Sequence, residues 1–580
     1  MGKRVIFSGL LITLIILDGC AEVAPTGVPT PLPTSPPPAV TPTPLPTATP
    51  TSPPTPPLPT ATPTQPPTPP LPTVTPTPIP PSTLWVEEAV PGAVRAALQA
   101  LVESQADDYA WALTEEGADV RVGVALTAPA TTVAWWVYAL VAPFPTLIDD
   151  VAWSDFEWAW QGTVAAPFNQ SPLLMTAETE AALSALLGPP SAGAVEIVPA
   201  EVLLDKAWAR RPSWAVVPFD ELEPRWKVLQ LDGASILNKG LDMDSYPLVV
   251  QVGIAGPPLA AADLRAALSA PLTNRDVERM TVLAMTGVMA LVRATAWRME
   301  TKGLLYPALK IGDVLRNADL THISNEIPFV DSCPPPDPVQ EDLVFCSAPR
   351  YLELLKYVGA DIIELTGNHM NDYGAQAMLD TLALYDEAGM LYYAGGRDLA
   401  AAQAPLIVES NGNYLAFLGC NYWGPEYDWA TADGPGSAPC DYAFMHDEIA
   451  RLKNEVDVVI MTFQYVEHYD YVPTPEQVVD FRGMADAGAS IVSGSQSHHP
   501  MGMEFRDNGF ITYGLGNLFF DQMFSLGTRQ EFIARHAIYR GRHISTELVT
   551  AMLEDYAQPR LASASERCAL LEAVFKASGW

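Results

Sequence analysis

The fold is decided by the stretch Ile362-Ile363-Glu364-Leu365-Thr366-Gly367-Asn368-His369-Met370-Asn371-Asp372-Tyr373-Gly374. Its first four residues form a short, mostly apolar run that is typical of a buried strand, and a helical pattern follows the stretch over residues 375–388. The polar loop between them carries Asn368, His369 and Asp372. A strand that leads through a polar loop into a helix predicts an α/β fold, in which ligands bind where loops leave the strand ends.

The same alternation recurs from about Asp276 to the end of the chain. A second helical pattern covers residues 475–487. The β-like runs lie at residues 282–285, 320–323, 362–365, 456–462, 491–492 and 510–513. Strands that alternate with helices predict a second α/β region.

An earlier region, from about Leu84 to Ala270, also reads as α/β. Its strand-like runs are 120–126, 214–218 and 247–252, and a helical pattern covers 91–103. Residues 214–229 weakly resemble the strand-then-helix passage of periplasmic solute-binding proteins. The tryptophans of this region either line a ligand cleft or belong to its core; they are Trp111, Trp135, Trp136, Trp153, Trp158 and Trp160.

The N-terminus carries export signals. Lys3 and Arg4 precede an apolar run of signal-peptide length, and Leu17-Asp18-Gly19-Cys20 resembles a bacterial lipobox, in which Cys20 is lipidated. Ordinary secretion and an uncleaved anchor are the alternatives. We therefore expect a lipoprotein signal peptide at 1–20, a disordered Pro/Thr-rich spacer at 21–83, a solute-binding-like α/β domain at 84–272 and a second α/β domain at 273–580.

Charge and cysteine content narrow the class of protein. A formal charge of -35 argues against binding to nucleic acid or to an anionic membrane surface, which leaves the lipid anchor as the expected membrane contact. Two cysteine pairs lie close in sequence, Cys333 with Cys346 and Cys420 with Cys440, and predict disulfides in an oxidising compartment. The alternative is that these cysteines are buried thiols. We expect a protein of the bacterial cell surface or periplasm.

The polar loop of the opening stretch offers specific chemistry. Asn368 can give an amide oxygen to a metal, and His369 can give an imidazole to an oxyanion or a leaving group. Asp372 can fix the tautomer of that ring. The competing interpretation is that these residues are turn formers, as polar residues at strand ends often are.

Five further motifs accompany this loop in order, and together they cover about 300 residues. They are Thr286-Gly287-Val288-Met289, Ser324-Asn325-Glu326, Gln464-Tyr465-Val466-Glu467-His468, Gly494-Ser495-Gln496-Ser497-His498 and Tyr513-Gly514-Leu515-Gly516-Asn517-Leu518. The ordered set resembles the CapA poly-γ-glutamate capsule biosynthesis family, which is related to calcineurin-like metallophosphoesterases. The resemblance implies a layered α/β/β/α domain.

The resemblance also implies roles for single residues. It makes Glu326, Asn368 and His498 metal ligands and His369 an acid/base, which Asp372 would assist. His468 stands where the family has a glutamate, four residues after Gln464, and we expect it to take part in catalysis in place of that residue. The chain departs from the family at Gly287, where the family has an aspartate, and at Gln464 and Gln496, where it has histidines. Amide oxygens are poorer ligands for Zn²⁺ or Mn²⁺, so a two-metal centre is doubtful. The further residues that we expect to line the site are His499 and Asn517.

Two functions remain open on this evidence. The first is a cell-surface hydrolase or transferase that acts on an anionic surface polymer or a phosphoester, with one hard cation (Mg²⁺, Mn²⁺ or Ca²⁺ rather than Zn²⁺) held by Glu326, Asn368, Gln464, Gln496 and His498. The second is a metal-free, catalytically inactive protein that binds a surface polymer or a small solute.

Overall fold

The computed structural model describes residues 80–124, 131–169, 171–268, 272–507 and 509–580. The expected signal peptide, Cys20 and the spacer up to residue 79 lie outside the described residues. Among the helices that are described, none has the length and apolar character needed to cross a bilayer.

The first α/β region contains twelve described strands and five described α-helices. Its strands are β1 (Ser82–Val86), β2 (Tyr109–Trp111), β3 (Val120–Val124), β4 (Thr131–Pro143), β5 (Asp150–Val151), β6 (Leu173–Met175), β7 (Val195–Ile197), β8 (Ala215–Pro218), β9 (Trp226–Val228), β10 (Gln230–Leu231), β11 (Val249–Ala255) and β12 (Leu272–Thr273). Its helices are α1 (Gly92–Ser104), α2 (Trp153–Trp160), α3 (Ala177–Leu187), α4 (Ala200–Ala209) and α5 (Pro258–Ala267).

Ten of these strands form one sheet in the order β2-β1-β3-β11-β4-β8-β6-β7, with β9 and β12 also paired to β4. The strand of the expected strand-then-helix passage after residue 214 is present as β8, but the expected helix is not, because β8 is followed by a single 3-10 turn (Phe219–Glu221) and then by β9. Pro224 explains the difference, since the residue before a proline is disfavoured in a helix. Trp136 and Trp160 belong to the buried core.

The second region contains fifteen described strands and nine described α-helices. Its strands are β13 (Met280–Met289), β14 (Leu320–Asn325), β15 (Ile362–Glu364), β16 (Leu391–Tyr393), β17 (Gly395–Gly396), β18 (Leu406–Ser410), β19 (Asn413–Asn421), β20 (Gly436–Ser437), β21 (Val458–Gln464), β22 (Ile491–Ser495), β23 (Met503–Arg506), β24 (Gly509–Thr512), β25 (Gln530–Tyr539), β26 (Arg542–Glu554) and β27 (Gln558–Leu561). Its helices are α6 (Arg293–Lys302), α7 (Gly312–Arg316), α8 (Leu352–Val358), α9 (Ala375–Ala388), α10 (Leu399–Gln403), α11 (Tyr442–Leu452), α12 (Pro475–Ala487), α13 (Leu526–Arg529) and α14 (Ala564–Ala577).

Two sheets organise this region. One has the order β16-β15-β14-β13-β25-β26-β27, and the other has the order β18-β19-β21-β22-β24-β23. The strands β13 to β16 run parallel, as do β19, β21, β22 and β24. The carboxyl ends of each parallel set therefore lie at one edge of its sheet.

The layers of the region follow from what each sheet face contacts. Apolar residues of both sheets, such as Met285 and Phe532 on one and Phe417 and Ile460 on the other, share one core between the sheets. The outer face of the first sheet packs on α6 to α9, and that of the second packs on α11 and α12. A helix layer, two sheets and a second helix layer confirm the predicted α/β/β/α arrangement.

The two α/β regions share an extended contact. Phe144, which follows β4, packs edge-on against Phe505 and Phe575 with ring centroids 5.1 and 6.1 Å apart. Arg567 donates from Nη2 to Asp149 Oδ1 over 2.7 Å, and this bond also joins the regions. The apolar core of the first region continues into the second, where it includes Met280, Ala537, Tyr539 and Ile544.

Both predicted disulfides are formed, Cys333 with Cys346 and Cys420 with Cys440. They clip two loops of the second region, the first between β14 and α8 and the second between β19 and α11. Disulfides of this kind are typical of chains that fold in an oxidising compartment.

Candidate functional site

The carboxyl ends of four parallel strands, two from each sheet of the second region, meet at one place. Glu326 directly follows β14, Asn368 lies in the loop after β15, Gln464 ends β21 and Gln496 directly follows β22. All four side chains are buried. Each sheet thus contributes two residues to one polar group, which we call the amide cluster.

The amide cluster is organised around one nitrogen. Gln464 Nε2 donates to Glu326 Oε1 over 3.1 Å, to Asn368 Oδ1 over 2.9 Å and to Gln496 Oε1. On its other side, Gln464 Oε1 accepts a 2.6 Å hydrogen bond from Ser495 Oγ. An amide nitrogen has two hydrogens, so three acceptors exceed what it can satisfy at once.

His498 borders the amide cluster. Its Nδ1 lies 2.8 Å from Asn517 Oδ1, and because that amide oxygen can only accept, Nδ1 carries the proton. In the neutral ring Nε2 then carries the lone pair, and this atom lies 3.9 Å from Glu326 Oε1. Asn517 therefore orients His498, as partners behind metal-binding histidines commonly do.

The residues do not fit a two-metal centre. Only Glu326 and His498 are conventional strong ligands here, and within the described residues no group of three or more His, Cys, Asp or Glu is arranged to hold a metal. Gly287 cannot be read as a missing aspartate, because a Cβ at this position would lie 2.0 Å from the carbonyl oxygen of Gly516. The backbone itself excludes a side chain there.

The residues do fit a single hard cation. Three oxygens already converge on one point, and a half-turn of the Gln464 amide would present a fourth oxygen to them. Ser495 Oγ serves either orientation, because a hydroxyl both donates and accepts. Glu326, Asn368, Gln464 and Gln496 with His498 would then hold Mg²⁺, Ca²⁺ or Mn²⁺, which prefer oxygen ligands.

A second group, His369 with Asp372 and Asp428, lies beside the amide cluster, and we call it the acid cluster. His369 Nδ1 lies 2.8 Å from Asp372 Oδ2, which also accepts from the backbone N–H of Phe345 over 2.7 Å. Burial alone would lower the pKa of His369, but the Asp372 hydrogen bond and the negative charge of Glu326 raise it above its usual value. The imidazolium form of His369 is therefore favoured.

Asp428 is a member of the acid cluster that sequence reasoning missed. It is fully buried, its Oδ1 accepts a 2.6 Å hydrogen bond from the backbone N–H of Asn371, and its Oδ2 has no partner among the described residues. Burial, with the nearby charge of Asp372, raises the pKa of Asp428 to about 7. Asp428 lies in the loop after β19, and polar residues in such loops are candidates for a site. The strand itself was not predicted from the hydrophobic pattern, so this loop was not considered.

Two histidines expected at the site lie elsewhere. His468 Nε2 contacts the carbonyl oxygen of Val472 at 2.9 Å, and no described contact joins His468 to either cluster. The Nδ1 atom of His499 lies 2.7 Å from Pro500 O, and its ring packs against Tyr471 with centroids 4.4 Å apart. Burial lowers the pKa of His499, so its neutral form is favoured. The loops after β21 and β22 turn these rings away because their own backbones hold them.

Backbone strain and exposed aromatic rings surround the two clusters. Four bulky residues near them adopt left-handed φ values that such residues seldom take, namely Arg293 (43°), Gln496 (74°), His498 (50°) and Phe519 (54°). The exposed rings of Tyr427 and Tyr469 flank the clusters, since Tyr427 OH donates to Asp372 Oδ1 over 3.2 Å and Tyr469 lies parallel to His498 at 6.5 Å. Strained backbones of this kind concentrate at functional sites.

The four layers define an α/β/β/α domain that carries a buried polar site at the carboxyl ends of its parallel strands. Residues 282–522 match the family described as "Bacterial capsule synthesis protein PGA_cap". This part of the chain thus carries the features of that family, and the resemblance drawn from the six motifs is confirmed.

Curated relatives agree with the family assignment. The "Capsule biosynthesis protein CapA" of Bacillus anthracis is 26% identical over 258 residues, which are 44% of this chain and 62% of that protein. The "PGA biosynthesis protein CapA" of Bacillus subtilis is 30% identical over 172 residues, 30% of this chain and 45% of that protein. The chain thus spans between about two fifths and two thirds of the length of these relatives.

Among solved structures, an ABC-type phosphate transport receptor from Vibrio cholerae is 12% identical with a TM-score of 0.28, and covers 32% of this chain and 93% of its own. The NAD nucleotidase of Haemophilus influenzae is 9% identical with a TM-score of 0.31, and covers 51% of this chain and 56% of its own. At these TM-scores neither likeness carries an argument about function.

Proposed function

We propose that this protein acts outside the cytoplasm on a polyglutamate-type surface polymer, as a hydrolase or transferase of its amide bonds. The observation that carries the proposal is the His369–Asp372 pair beside the buried carboxylate of Glu326. The family assignment supports the choice of polymer.

The proposed step uses His369 as the acid and Glu326 as the base. Nδ1 of His369 is engaged by Asp372, which leaves the Nε2 proton for the amide nitrogen of the substrate. Glu326 removes a proton from an attacking water, the oxygen bonds to the amide carbon, and the C–N bond breaks as His369 protonates the departing amine. In a transfer reaction an amine of a second chain replaces the water.

A hard cation bound at the amide cluster would polarise the carbonyl oxygen of the substrate. The chain's own contribution is to hold Glu326 and His498 in place, through Gln464 and Asn517 respectively. The exposed rings of Tyr427 and Tyr469 would contact a polymer that passes over the site.

The test is release or exchange of glutamate units from poly-γ-glutamate by the purified protein, with and without Mg²⁺, Mn²⁺ or Ca²⁺. We expect turnover that is lost in Glu326→Gln and that declines as the pH rises above the raised pKa of His369. Absence of turnover under all these conditions would reject the enzyme.

The second candidate is a binding protein without catalytic activity. The observation in its favour is that Gln464 Nε2 already provides hydrogen bonds to the oxygens that would bind a cation. Elemental analysis of the purified protein discriminates between the two. A stoichiometric cation that a chelator removes supports the first function, and a metal-free protein that binds polymer without turnover supports the second.

A further inference from the structure

Arg293 has an unusual setting beside the proposed reaction centre. Its guanidinium lies over the rings of Phe345 and Phe520, at 5.1 and 5.2 Å from their centroids. Phe345 in turn contacts His369 at 4.7 Å, and Phe520 contacts His498 at 5.2 Å between ring centroids. One aromatic ring thus lies between Arg293 and His369, and another lies between Arg293 and His498.

The hydrogen-bonding capacity of Arg293 is only partly used. Nη2 donates to Asp521 Oδ1 over 2.5 Å, while Nε is buried and has no partner within the described parts of the chain. A buried N–H without an acceptor is unfavourable, and a guanidinium presents paired donors that match a carboxylate. The backbone of Arg293 is left-handed, with φ of 43°, a conformation that is strained for a bulky residue.

Arg293 also lines a cavity of about 590 Å³. The lining includes Trp297, Arg350, Tyr373 and the disulfide of Cys333 with Cys346. Tyr373 directly follows Asp372 of the acid cluster, so the cavity adjoins the proposed reaction centre.

The residues that line the cavity carry two positive charges and one negative charge, and Asp521 adds a second negative charge beside Arg293. The ionised lining residues are Arg293, Arg350 and Glu300, and the carboxylate of Glu300 is already bonded by Arg350 and by Tyr351 OH. Arg293 is therefore the lining cation that has a buried donor without a partner among the described residues. An anionic group is the ligand that this arrangement favours.

We propose that this cavity is a subsite for the acidic polymer, in which Arg293 binds the free carboxylate of the residue next to the reacting amide bond. The proposal rests on the proposed function for the identity of the polymer. It adds a residue, Arg293, that selects for the charge of the substrate and takes no part in the chemical step.

The test is the affinity of the full chain for a fluorescent γ-linked hexaglutamate, compared with the same hexamer whose free carboxylates are converted to amides. We expect the wild type to prefer the acidic hexamer at least tenfold, and Arg293→Gln to remove that preference. Arg482→Gln is the matched control, because Arg482 forms an ion pair with Glu504 on the outer side of the other sheet. The control should leave the preference unchanged.

Asp521→Asn separates binding from a structural role. If Arg293 only stabilises the fold through Asp521, both substitutions should impair binding alike. If Arg293 binds substrate, Asp521→Asn should keep or increase the preference, because the guanidinium loses its competing carboxylate. Equal losses, or an Arg293→Gln variant that keeps the preference, would overturn the subsite.

Failure of the subsite and failure of the proposed function give different results. If turnover is lost in Glu326→Gln but the preference for the acidic hexamer is unchanged in Arg293→Gln, the subsite alone is rejected. A charge preference that follows Arg293 without any turnover rejects the enzyme and keeps the subsite. A glycerol phosphate oligomer that competes as well as hexaglutamate would overturn the assignment of a carboxylate ligand.

Discussion

The amide cluster and the acid cluster lie side by side but solve the problem of buried polarity in different ways. In the amide cluster, neutral side chains pair with one another and with a single carboxylate, and Gln464 Nε2 links them all. In the acid cluster, His369 lies beside the carboxylates of Asp372 and Asp428, and Asp428 has an oxygen without a partner among the described residues. The amide cluster is a hydrogen-bonded network of mostly neutral groups, whereas the acid cluster consists of ionisable groups.

This difference suggests different roles for the two clusters in the proposed reaction. Side-chain amides do not exchange protons in the physiological pH range, so the pairing of Asn368, Gln464 and Gln496 does not depend on a protonation state of their own. The shifted pKa values of His369 and Asp428 belong to groups that can exchange protons near neutral pH. In the proposed reaction the acid, His369, therefore belongs to the acid cluster, whereas the base, Glu326, belongs to the amide cluster, whose amides hold it in place.

The largest effect on turnover is expected from a substitution of His369, the proposed acid. We expect His369→Ala to reduce turnover of poly-γ-glutamate by roughly 10² to 10⁴, the usual contribution of a general acid. His468→Ala is the control, because its ring contacts only the backbone of its own loop. The steady-state rates of the two variants test this assignment. If His369→Ala and His468→Ala reduce turnover equally, His369 is not the acid.

The amide cluster predicts a large effect on stability. Gln464→Leu leaves Glu326 buried without its donor, so we expect the free energy of unfolding to fall by about 3 to 5 kcal/mol. Gln477→Leu is the matched control, because Gln477 is equally buried but donates only to Tyr513 O. Urea unfolding measures both, and a loss of similar size in the control would show that the network has no special weight.

The acid cluster predicts a pH dependence. The pKa of Asp428 is raised from 3.8 to about 7, so between these values the folded state keeps a proton that the unfolded state loses. Stability contributed by this group therefore falls as the pH rises from about 4 to 7. Asp428→Asn should unfold like the wild type near pH 4 and gain about 4 kcal/mol relative to it at pH 8, at about 1.4 kcal/mol per unit of pKa. No relative gain at pH 8 would contradict the raised pKa.

The smallest expected effect is at Tyr427. Its hydroxyl donates to Asp372 over 3.2 Å, and Tyr427→Phe removes that bond while it keeps the ring. We expect turnover to fall by roughly two- to fivefold, which corresponds to about 0.5 to 1 kcal/mol for one hydrogen bond. A loss as large as that of His369→Ala would mean that Tyr427 itself takes part in the reaction.

Local signals in the sequence predicted the first and last residues of some helices correctly. Both α9 and α12 begin and end where the helical pattern predicts, because each is closed by a glycine, Gly389 and Gly488, and α12 begins with Pro475 after the cap Thr474. The motif residues Glu326, Asn368, Gln464 and Gln496 come together because parallel strands share one carboxyl edge.

Other features depend on long-range packing and left no local signal. The hairpin of β25 and β26 was not predicted, since charged residues such as Arg535 and Glu547 interrupt its alternation. The proximity of Asp428 to His369 depends on how the loop after β19 crosses from one sheet to the other. The setting of Arg293 depends on two phenylalanines that lie about 50 and 230 residues away in the chain.

The apolar core that runs from the first region into the second has a consequence for how the protein unfolds. Because Met280, Tyr539 and Ile544 are packed among residues of the first region, neither region can lose its packing while the other stays intact. We expect one cooperative calorimetric transition, so that a destabilising change around Phe144 would weaken the distant catalytic edge as well.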